Sequence, residues 1–348
     1  MQWMIYGANG YTGELIARAA KASGLTPVLA GRSAEKLRPL AQQLDLECRV
    51  FALEAPAAVD RGLDGIGLVL HCAGPFSHTS APLLEGCLRR RAHYLDITGE
   101  IAVLEHAHAQ HARAREAGIV VCPGVGFDVI PTDCVAAALK RALPDATQLA
   151  LGFDSRSGFS PGTAKTAVEG LAQGGRLRRD GRIVAVPLAW HTRRIDFGAG
   201  EKLAMTIPWG DVATAYYSTG IPNIEVYLPG SPRLVKNAQR ANHIRWLLGW
   251  GPVQSLLKKK AGQTRGPSEA QRAQMPTFVW GEAKNAQGET RTARLQTANG
   301  YSLTVTGALA AVQRLLARQG EAGAFTPSLL FGPEFVETLP GSGRIEIQ

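Results

Sequence analysis

The sequence has few cysteines, no long apolar run and a modest share of charge. Its five cysteines form no Cys-x-x-Cys pair, which argues against a disulfide framework or a zinc ribbon. A membrane-spanning helix needs about 20 consecutive apolar residues, and no stretch of this sequence comes near that length. The N-terminus lacks the charged start and cleavage site of a signal peptide, so a cytoplasmic location is expected. A hydrophobic share of 45% and a charged share of 19% exclude the disordered and fibrous classes.

Length and charge both divide the chain in two. At about 150 residues per domain, 348 residues predict two domains with ample core. Residues 1–145 carry 14 Lys and Arg against 15 Asp and Glu, whereas residues 146–348 carry 24 against 14. A positive surface attracts carboxylates, phosphates, anionic lipid or nucleic acid, or it serves solubility alone. Nucleic-acid binding is not expected, since the chain has no recognition motif.

The first 125 residues alternate short apolar runs with amphipathic segments. The runs predict six strands, at 3–6, 27–30, 48–53, 67–72, 93–97 and 119–122. Helices are predicted over 14–23, 34–44, 81–91 and 103–117. This alternation predicts an α/β fold with a doubly wound parallel sheet, the Rossmann architecture. From residue 147 onward, longer alternating runs predict an α+β second domain with a mainly antiparallel sheet.

A glycine-rich turn follows the first predicted strand and leads into a helix. It comprises Gly7, Ala8, Asn9, Gly10, Tyr11, Thr12 and Gly13. Glycines permit a tight turn and close backbone approach, and the helix N-terminus offers N–H groups and a positive dipole end to a pyrophosphate. The preceding strand and following helix favour dinucleotide binding over a turn that only packs helix on strand. All residues of the turn except Ala8 are therefore expected to contact the cofactor.

The end of the second strand indicates which dinucleotide is bound. Arg32 lies 19 positions after Gly13, and no acidic residue occupies this strand end. An acidic residue there would bond the ribose 2′-hydroxyl of NAD, whereas an arginine accommodates the 2′-phosphate of NADP. The sequence therefore predicts NADP, held by Arg32 with Ser33 and Lys36 nearby. A solvated strand-end charge is the alternative for Arg32.

The fourth strand ends in Ala73-Gly74-Pro75-Phe76. Small residues at a strand end let the ribose and nicotinamide side of a dinucleotide approach, because ligands of open α/β sheets bind at the carboxyl ends of the strands. We therefore include all four residues among those expected to bind the cofactor. Phe76 either packs on the cofactor or belongs to an ordinary Pro-Phe turn.

Five motifs in order resemble the saccharopine dehydrogenase-like oxidoreductases, including their trans-acting enoyl reductase branch. They are Gly7 to Gly13, Ala30-Gly31-Arg32, Gly74-Pro75-Phe76, Tyr94 to Glu100 and Gly126 to Asp133. The resemblance implies an NADP-binding Rossmann domain over residues 1–128 and an α+β substrate and dimerisation domain over 129–320. It also implies a C-terminal segment, 321–348, that packs back on the first domain. It does not fix the substrate.

Four residues are candidates for catalysis: Asp96, Asp128, Lys165 and His191. Asp96 lies at the end of the fifth strand and Glu100 just after it, and Asp128 follows the sixth strand, all beside the expected nicotinamide position. The alternative for Asp128 and Glu100 is that each caps the helix that follows it. Lys165 opens a predicted helix where it would supply a charge or a proton, and His191 is a general-acid candidate by residue type.

Two other chemistries are excluded or disfavoured by spacing. No tyrosine is followed four positions later by lysine, so the catalytic pair of short-chain dehydrogenases is absent. His106, His108 and His111 fall on different faces of a helix and are expected to be solvated, so no metal site is predicted.

Residues 244–260 combine two tryptophans, four leucines and a lysine cluster. This composition is typical of an interfacial helix that contacts a membrane surface or of an apolar lid over a lipid-like substrate. A buried helix pair ending in lysines is the alternative, since Gly249 to Pro252 interrupts any continuous amphipathic helix.

Together these features predict a cytoplasmic, homodimeric NADP(H)-dependent oxidoreductase. It would transfer a hydride to or from a C=C, C=N or C=O bond of an anionic or acyl substrate held between the domains. The alternative is a non-catalytic NADP-binding sensor or membrane-associated scaffold.

Overall fold

The computed structural model describes residues 1–155, 168, 170, 172–261, 263, 266–317 and 320–348. The chain forms two compact units. The first unit comprises Met1–Ile130 and Tyr301–Phe331, and the second comprises Pro131–Gly300 and Gly332–Gln348.

The first unit is built on a seven-stranded parallel sheet. Its strands are β1 (Trp3–Tyr6), β2 (Val28–Gly31), β3 (Cys48–Val50), β4 (Leu68–His71), β5 (His93–Asp96), β6 (Val120–Cys122) and β15 (Gly323–Ala324). They lie in the order β15-β6-β5-β4-β1-β2-β3. Every residue of β1, β2 and β4 is buried, as expected for a parallel sheet covered on both faces. The Rossmann architecture predicted from the sequence is confirmed.

The helices of the first unit connect these strands. They are α1 (Tyr11–Ala22), α2 (Ala34–Leu44), α3 (Pro56–Gly62), α4 (Phe76–Arg90), α5 (Ile101–Ala109) and α6 (His111–Ala117). The helix predicted over 103–117 is two helices that meet at Gln110, a position that neither proline nor glycine marks.

The prediction that His106, His108 and His111 are all solvated is wrong for His108, which is 7% exposed. Burial lowers the pKa of His108 to about 4 and keeps it neutral.

The second unit is built on a mainly antiparallel sheet. The strands are β7 (Gln148–Asp154), β8 (Gly175–Arg179), β9 (Arg182–Val186), β10 (Thr192–Asp196), β11 (Glu201–Thr206), β12 (Asn223–Pro229), β13 (Thr277–Lys284), β14 (Thr290–Thr297) and β16 (Glu346–Ile347). The order is β10-β11-β12-β7-β13-β14-β16, with β8 paired to β12 and to β9. The β7–β12 pair is parallel, and the other pairings are antiparallel. The prediction of an α+β second domain with a mainly antiparallel sheet is therefore confirmed.

Helices border this sheet. Helix α7 (Ile130–Ala142) packs against β13, where Gly281 provides the space: a Cβ there would lie 2.7 Å from side-chain atoms of Val135 and Leu139. Further helices are Asp211–Thr219, Pro232–Ala241, Arg245–Leu248, Gly251–Ala261, Glu269–Gln274, Gly300–Leu316 and Pro327–Phe331. Two 3₁₀ turns span Asn242–Ile244 and Pro333–Thr338. Among the described residues, no helix is both long and apolar enough to span a membrane.

The unit boundaries differ from the predicted division at the C-terminal end of the chain. Residues 301–320 were predicted in the second domain and 321–348 against the first. Instead Tyr301–Phe331 belongs to the first unit, where β15 extends the parallel sheet beside β6. Gly332–Gln348 belongs to the second unit, where β16 pairs with β14. Strands of two residues have no detectable sequence periodicity, so the pattern did not reveal these returns.

Residues 244–260 form helical segments without a buried residue. They include the end of the Asn242–Ile244 turn, the Arg245–Leu248 helix and most of the Gly251–Ala261 helix, and none of these elements contains a buried residue. Trp246 is 78% exposed and Trp250 59%. The interpretation of this segment as a buried helix pair is therefore wrong. Four of the five cysteines are buried, while Cys48 is partly exposed.

Candidate functional site

The glycine turn joins β1 to α1 and touches the loop after β4. Gly7 adopts φ +86°, a left-handed conformation that favours glycine. A Cβ at Gly7 would lie 2.6 Å from the backbone nitrogen of Ala73. The Gly7 amide donates to the Ala30 carbonyl at 2.8 Å, which holds the turn against β2. Ala73 thus borders the glycine turn.

The two other glycines of the turn have different roles. A Cβ at Gly13 would lie 2.3 Å from the Gly7 carbonyl oxygen, so a side chain there is incompatible with the turn. Gly10 precedes the first residue of α1 and has extended backbone at φ −79°. Within 4 Å and among the described residues, a Cβ at Gly10 would meet only the Gly7 oxygen, at 3.3 Å. Gly13 therefore keeps the turn closed, while Gly10 leaves the approach to the helix N-terminus open.

The remaining residues of the turn surround the same helix end. The Asn9 Oδ1 atom lies 3.0 Å from the position of a Cβ on Gly31, so Asn9 reaches the end of β2. Tyr11 and Thr12 form the first turn of α1 and are partly exposed. The Tyr11 ring meets that of Tyr301 edge to face at 5.2 Å between centroids. The first amides of a helix have no partner within the helix, so this end suits an anionic group.

Positive charge without an ion-pair partner follows β2. Among the described residues Arg32 is exposed and forms no hydrogen bond or ion pair. Ser33 precedes α2, yet its hydroxyl does not cap that helix, and Lys36 is exposed one turn further on. The pKa of Tyr6 is raised to about 12 by burial first and by Glu54 second, while Arg32 lowers it. Glu54, which is exposed, is an acidic neighbour of Tyr6 that the sequence pattern did not reveal.

A buried histidine at the end of β4 was not predicted. His71 is fully buried, and burial lowers its pKa to about 3, so it is neutral. Its Nε2 atom lies 3.0 Å from the Thr79 hydroxyl, which donates to the Ala73 carbonyl at 2.6 Å. The Phe76 ring meets the His71 ring edge to face at 5.0 Å. Phe76 therefore packs within the first unit and fixes the Ala73–Phe76 loop.

Glu100 caps a helix other than the one predicted. Its carboxylate accepts hydrogen bonds from the backbone amides of Phe76 and Ser77, both at 2.8 Å. These amides begin α4, whereas the Glu100 side chain makes no capping bond to α5, which follows it in sequence. A carboxylate at a helix N-terminus is favoured by the helix dipole. Glu100 thereby links the loop after β5 to the loop after β4.

Asp96 joins the ends of β5 and β6. It is fully buried and accepts hydrogen bonds from the amides of Thr98 (3.0 Å) and Gly124 (2.9 Å) and from the Tyr94 hydroxyl (2.9 Å). Burial raises its pKa to about 6, although these three hydrogen bonds lower it. Its protein contacts give Asp96 a positioning role, and its participation in acid–base chemistry stays a prediction.

Asp128 lies at the same edge of the sheet. Its Oδ2 atom is 2.9 Å from the position that a Cβ on Gly99 would occupy, so Gly99 makes room for this carboxyl beside the loop after β5. Burial raises the pKa of Asp128 to about 7. Near neutral pH this carboxyl is therefore divided between its protonated and ionised forms, as a group that exchanges protons requires.

His191 belongs to the second unit. It directly precedes β10. Its Nδ1 atom lies 2.8 Å from Glu225, whose other oxygen accepts a hydrogen bond from the Tyr227 hydroxyl at 2.5 Å. These three residues line a cavity of about 500 Å³ together with Arg193 and others. Arg193 is held by Glu282 through two hydrogen bonds of 3.0 Å.

The structure thus brings most candidates together within the first unit. The cofactor candidates and the two aspartates lie at strand ends, in the loops that follow them or in the first turns of the next helices, whereas His191 lies in the second unit. Lys165, and with it the predicted helix start at residues 162–165, lies outside the described residues. Within the described ranges, no group of three His, Cys, Asp or Glu side chains is placed to hold a metal ion.

Comparison with known families agrees with this geometry. Residues 3–122 match the family described as the saccharopine dehydrogenase NADP binding domain. The resemblance based on the five motifs is therefore confirmed, and so is NADP as the cofactor. The structure fits this cofactor, because the glycine turn leaves the N-terminus of α1 accessible and Arg32 lies unpaired at the end of β2.

Relatives match about half of the chain. It is 28% identical over 204 residues to the saccharopine dehydrogenase-like oxidoreductase of Rattus norvegicus, covering 51% of this chain and 48% of that protein. It is also 28% identical over 215 residues to the trans-acting enoyl reductase of Mycobacterium tuberculosis (strain ATCC 25618 / H37Rv), covering 58% and 51%. The matched regions thus span about half the length of these relatives.

Two solved structures share the fold over the whole chain. The saccharopine dehydrogenase (L-Glu forming) from Saccharomyces cerevisiae matches with a TM-score of 0.68 at 10% identity, covering 100% of this chain and 99% of that one. Homospermidine synthase from Legionella pneumophila in complex with NAD matches with a TM-score of 0.65 at 10% identity, covering 100% and 91%. At this level of identity the two matches show the fold alone.

The two glycines lead to a matched pair of variants. Gly10→Val should retain the fold, because its backbone is extended, but should weaken NADP binding at least tenfold by covering the helix N-terminus. Gly13→Ala should destabilise the protein by about 1–3 kcal/mol, because its Cβ would overlap the Gly7 carbonyl. Isothermal titration and thermal unfolding measure the two effects. Wild-type NADP affinity in folded Gly10→Val would show that the turn is assigned wrongly.

The raised pKa of Asp128 leads to a pH-dependent stability difference. Its folded pKa, about 7, exceeds its usual 3.8, so the folded protein loses stability as pH rises between these values. Asp128→Asn cannot ionise, and its gain in melting temperature over the wild type should be larger at pH 8 than at pH 5. The exposed Glu116→Gln controls for loss of one negative charge. An equal gain at both pH values would contradict the burial of this carboxyl.

Proposed function

We propose that the chain is an NADP(H)-dependent oxidoreductase that transfers a hydride to or from a C=C, C=N or C=O bond. The observation that carries the proposal is the exposed, unpaired Arg32 at the end of β2, next to a glycine turn that leaves the N-terminus of α1 accessible. The oxidoreductase names of the relatives support the reaction class.

The first unit supplies the groups that hold the cofactor. The α1 N-terminus at Gly10, Tyr11 and Thr12 receives the pyrophosphate, where amide groups and the helix dipole favour negative charge. Arg32 meets the 2′-phosphate through charge-assisted hydrogen bonds, with Ser33 and Lys36 beside it. When bound, NADP(H) supplies the hydride chemistry through its nicotinamide ring. The protein's contribution is to bind and orient.

Asp128 is the best candidate for moving a proton. It lies at the carboxyl edge of the parallel sheet, where ligands of open α/β sheets bind. Its pKa of about 7 gives it a substantial protonated fraction at neutral pH, so it can donate a proton to the substrate atom next to the one that receives the hydride. Asp96, engaged in three hydrogen bonds at the same edge, holds the β5 and β6 loops in position.

The proposed substrate is anionic and acyl-like. Residues 146–348 carry 24 Lys and Arg against 14 Asp and Glu, an excess that attracts carboxylates and phosphates. The enoyl reductase named among the relatives fits reduction of a C=C bond conjugated to a carbonyl group. We further propose that the active form is a cytoplasmic homodimer.

The cofactor preference is tested by Arg32→Ala. The variant should lose about 1.5–3 kcal/mol of NADP binding free energy, because charge-assisted contacts to the 2′-phosphate disappear, while NAD affinity stays unchanged. Arg38→Ala removes another exposed arginine, within α2 of the same unit, and should leave both affinities unchanged. Titration of each protein with both dinucleotides gives the result. Tighter binding of NAD than NADP by the wild type would contradict the assignment.

The reaction and its proton donor are tested with NADPH and a panel of enoyl, keto and imino acids of increasing chain length. The value of kcat/KM for reduction should fall as pH rises above about 7, since Asp128 then loses its proton. Asp128→Asn should lower kcat and abolish this descending limb, with NADP affinity retained. NADP binding without turnover of any panel member would favour the non-catalytic sensor. An unchanged pH profile in Asp128→Asn would exclude Asp128 as the donor.

A further inference from the structure

Exposed apolar side chains are concentrated in one short part of the second unit. Among the described residues, five of the eleven large exposed hydrophobic side chains fall between positions 234 and 256. They are Leu234 (47%), Ile244 (49%), Trp246 (78%), Trp250 (59%) and Leu256 (58%). Scattered apolar side chains are ordinary on a protein surface, but a concentrated group with two tryptophans indicates a binding surface.

The same part of the chain has charge of one sign only. No Asp or Glu occurs from residue 226 to residue 268. This stretch contains eight basic residues: Arg233, Lys236, Arg240, Arg245, Lys258, Lys259, Lys260 and Arg265. Several positive side chains elsewhere in the second unit have acidic partners, as Arg193 has Glu282 and Arg194 has Glu201. The stretch has no negative charge of its own in sequence, and its positive charge favours an anionic partner.

Polar and apolar contacts hold the inner side of the segment in place. The Asn242 side chain accepts a hydrogen bond from the Leu188 amide at 2.8 Å and donates to the Leu188 carbonyl at 3.1 Å. The Gln254 amide donates to the carbonyls of Leu248 (2.6 Å) and Val168 (3.2 Å). Val235 is buried against Met205 and other residues of the unit. The tryptophans thus remain exposed on a segment that is attached to its own unit.

We propose that residues 232–261, hereafter the basic aromatic segment, bind the surface of an anionic phospholipid bilayer. Tryptophan side chains favour the boundary between lipid headgroups and acyl chains, and leucine adds apolar contact there. Lysines and arginines attract the negative headgroups over about a Debye length, so the two contributions reinforce each other. The charge complementarity selects a bilayer over an uncharged apolar protein face. The proposal rests on exposure and charge and does not depend on the reaction proposed above.

The experiment uses the full chain and vesicles of defined composition. Phosphatidylcholine vesicles containing 30% phosphatidylglycerol should bind the protein in a flotation assay at 100 mM salt, and vesicles of phosphatidylcholine alone should bind at least tenfold less. Binding should weaken at 500 mM salt because the charges are screened. Vesicles with brominated acyl chains should quench the protein's tryptophan fluorescence.

Two variants separate the apolar and charged contributions. Trp246→Ser with Trp250→Ser should lower vesicle binding at least tenfold and remove the bromine quenching, with an unchanged melting temperature because both side chains are exposed. Lys258→Gln, Lys259→Gln and Lys260→Gln together should lower binding to a similar degree. The matched controls are Trp190→Ser, at a tryptophan that is 44% exposed outside the segment, and the combined Arg38→Gln, Arg61→Gln and Arg115→Gln changes in the first unit. Both controls should bind as the wild type does.

Each other outcome overturns the proposal. If the triple arginine control lost as much vesicle binding as the triple lysine variant, the net charge of the protein alone would be responsible for binding. A self-association that the tryptophan variant abolishes, without vesicle binding, would identify the segment as an interface between two copies of the chain. Binding to duplex DNA without binding to anionic vesicles would identify a nucleic-acid surface. NADP affinity, measured in the same variants, should not change, so failure here is distinguishable from failure of the proposed oxidoreductase function.

Discussion

The close approach of backbone to backbone around Gly7 is the constraint on which the candidate site depends. A side chain at Gly7 would overlap Ala73, and one at Gly13 would overlap the Gly7 carbonyl. Only because both side chains are absent can β1 turn directly into α1 while the loop after β4 lies against the turn. This arrangement leaves the helix N-terminus open at Gly10. Glu100 extends the same construction by capping α4, so that the loops after β4 and β5 are fixed together.

Burial shifts the pKa of several titratable groups near these strand ends toward the uncharged form. His71 is neutral because burial lowers its pKa to about 3, and Tyr6 is neutral because burial raises its pKa to about 12. Asp96 and Asp128 have raised pKa values of about 6 and about 7 for the same reason. With His71 and Tyr6 neutral and Asp128 partly protonated, the helix dipole of α1 and the guanidinium of Arg32 contribute positive potential that suits an anionic cofactor.

The second unit handles its charges in two ways. On the sheet, acidic and basic side chains bond one another, as Arg193 does with Glu282 and His191 with Glu225. In the basic aromatic segment the positive charges have no acidic residue near them in sequence and stand beside exposed tryptophans. Paired charges contribute to packing of the unit itself, whereas a concentration of charge of one sign favours a partner of the opposite sign.

The sequence by itself determined the Rossmann architecture, the glycine turn and the cofactor, because each depends on local features. A short apolar run, a glycine spacing and the residue at the end of β2 are readable without knowing what lies across the sheet. The sequence pattern did not reveal contacts between residues that are distant in sequence. Strands β8, β10 and β11 are rich in charged residues that hide their alternation, and β15 and β16 are only two residues long. The burial of His71 and His108, the capping of α4 by Glu100 and the exposure of Trp246 depend on which elements pack together, and only the tertiary structure decided that.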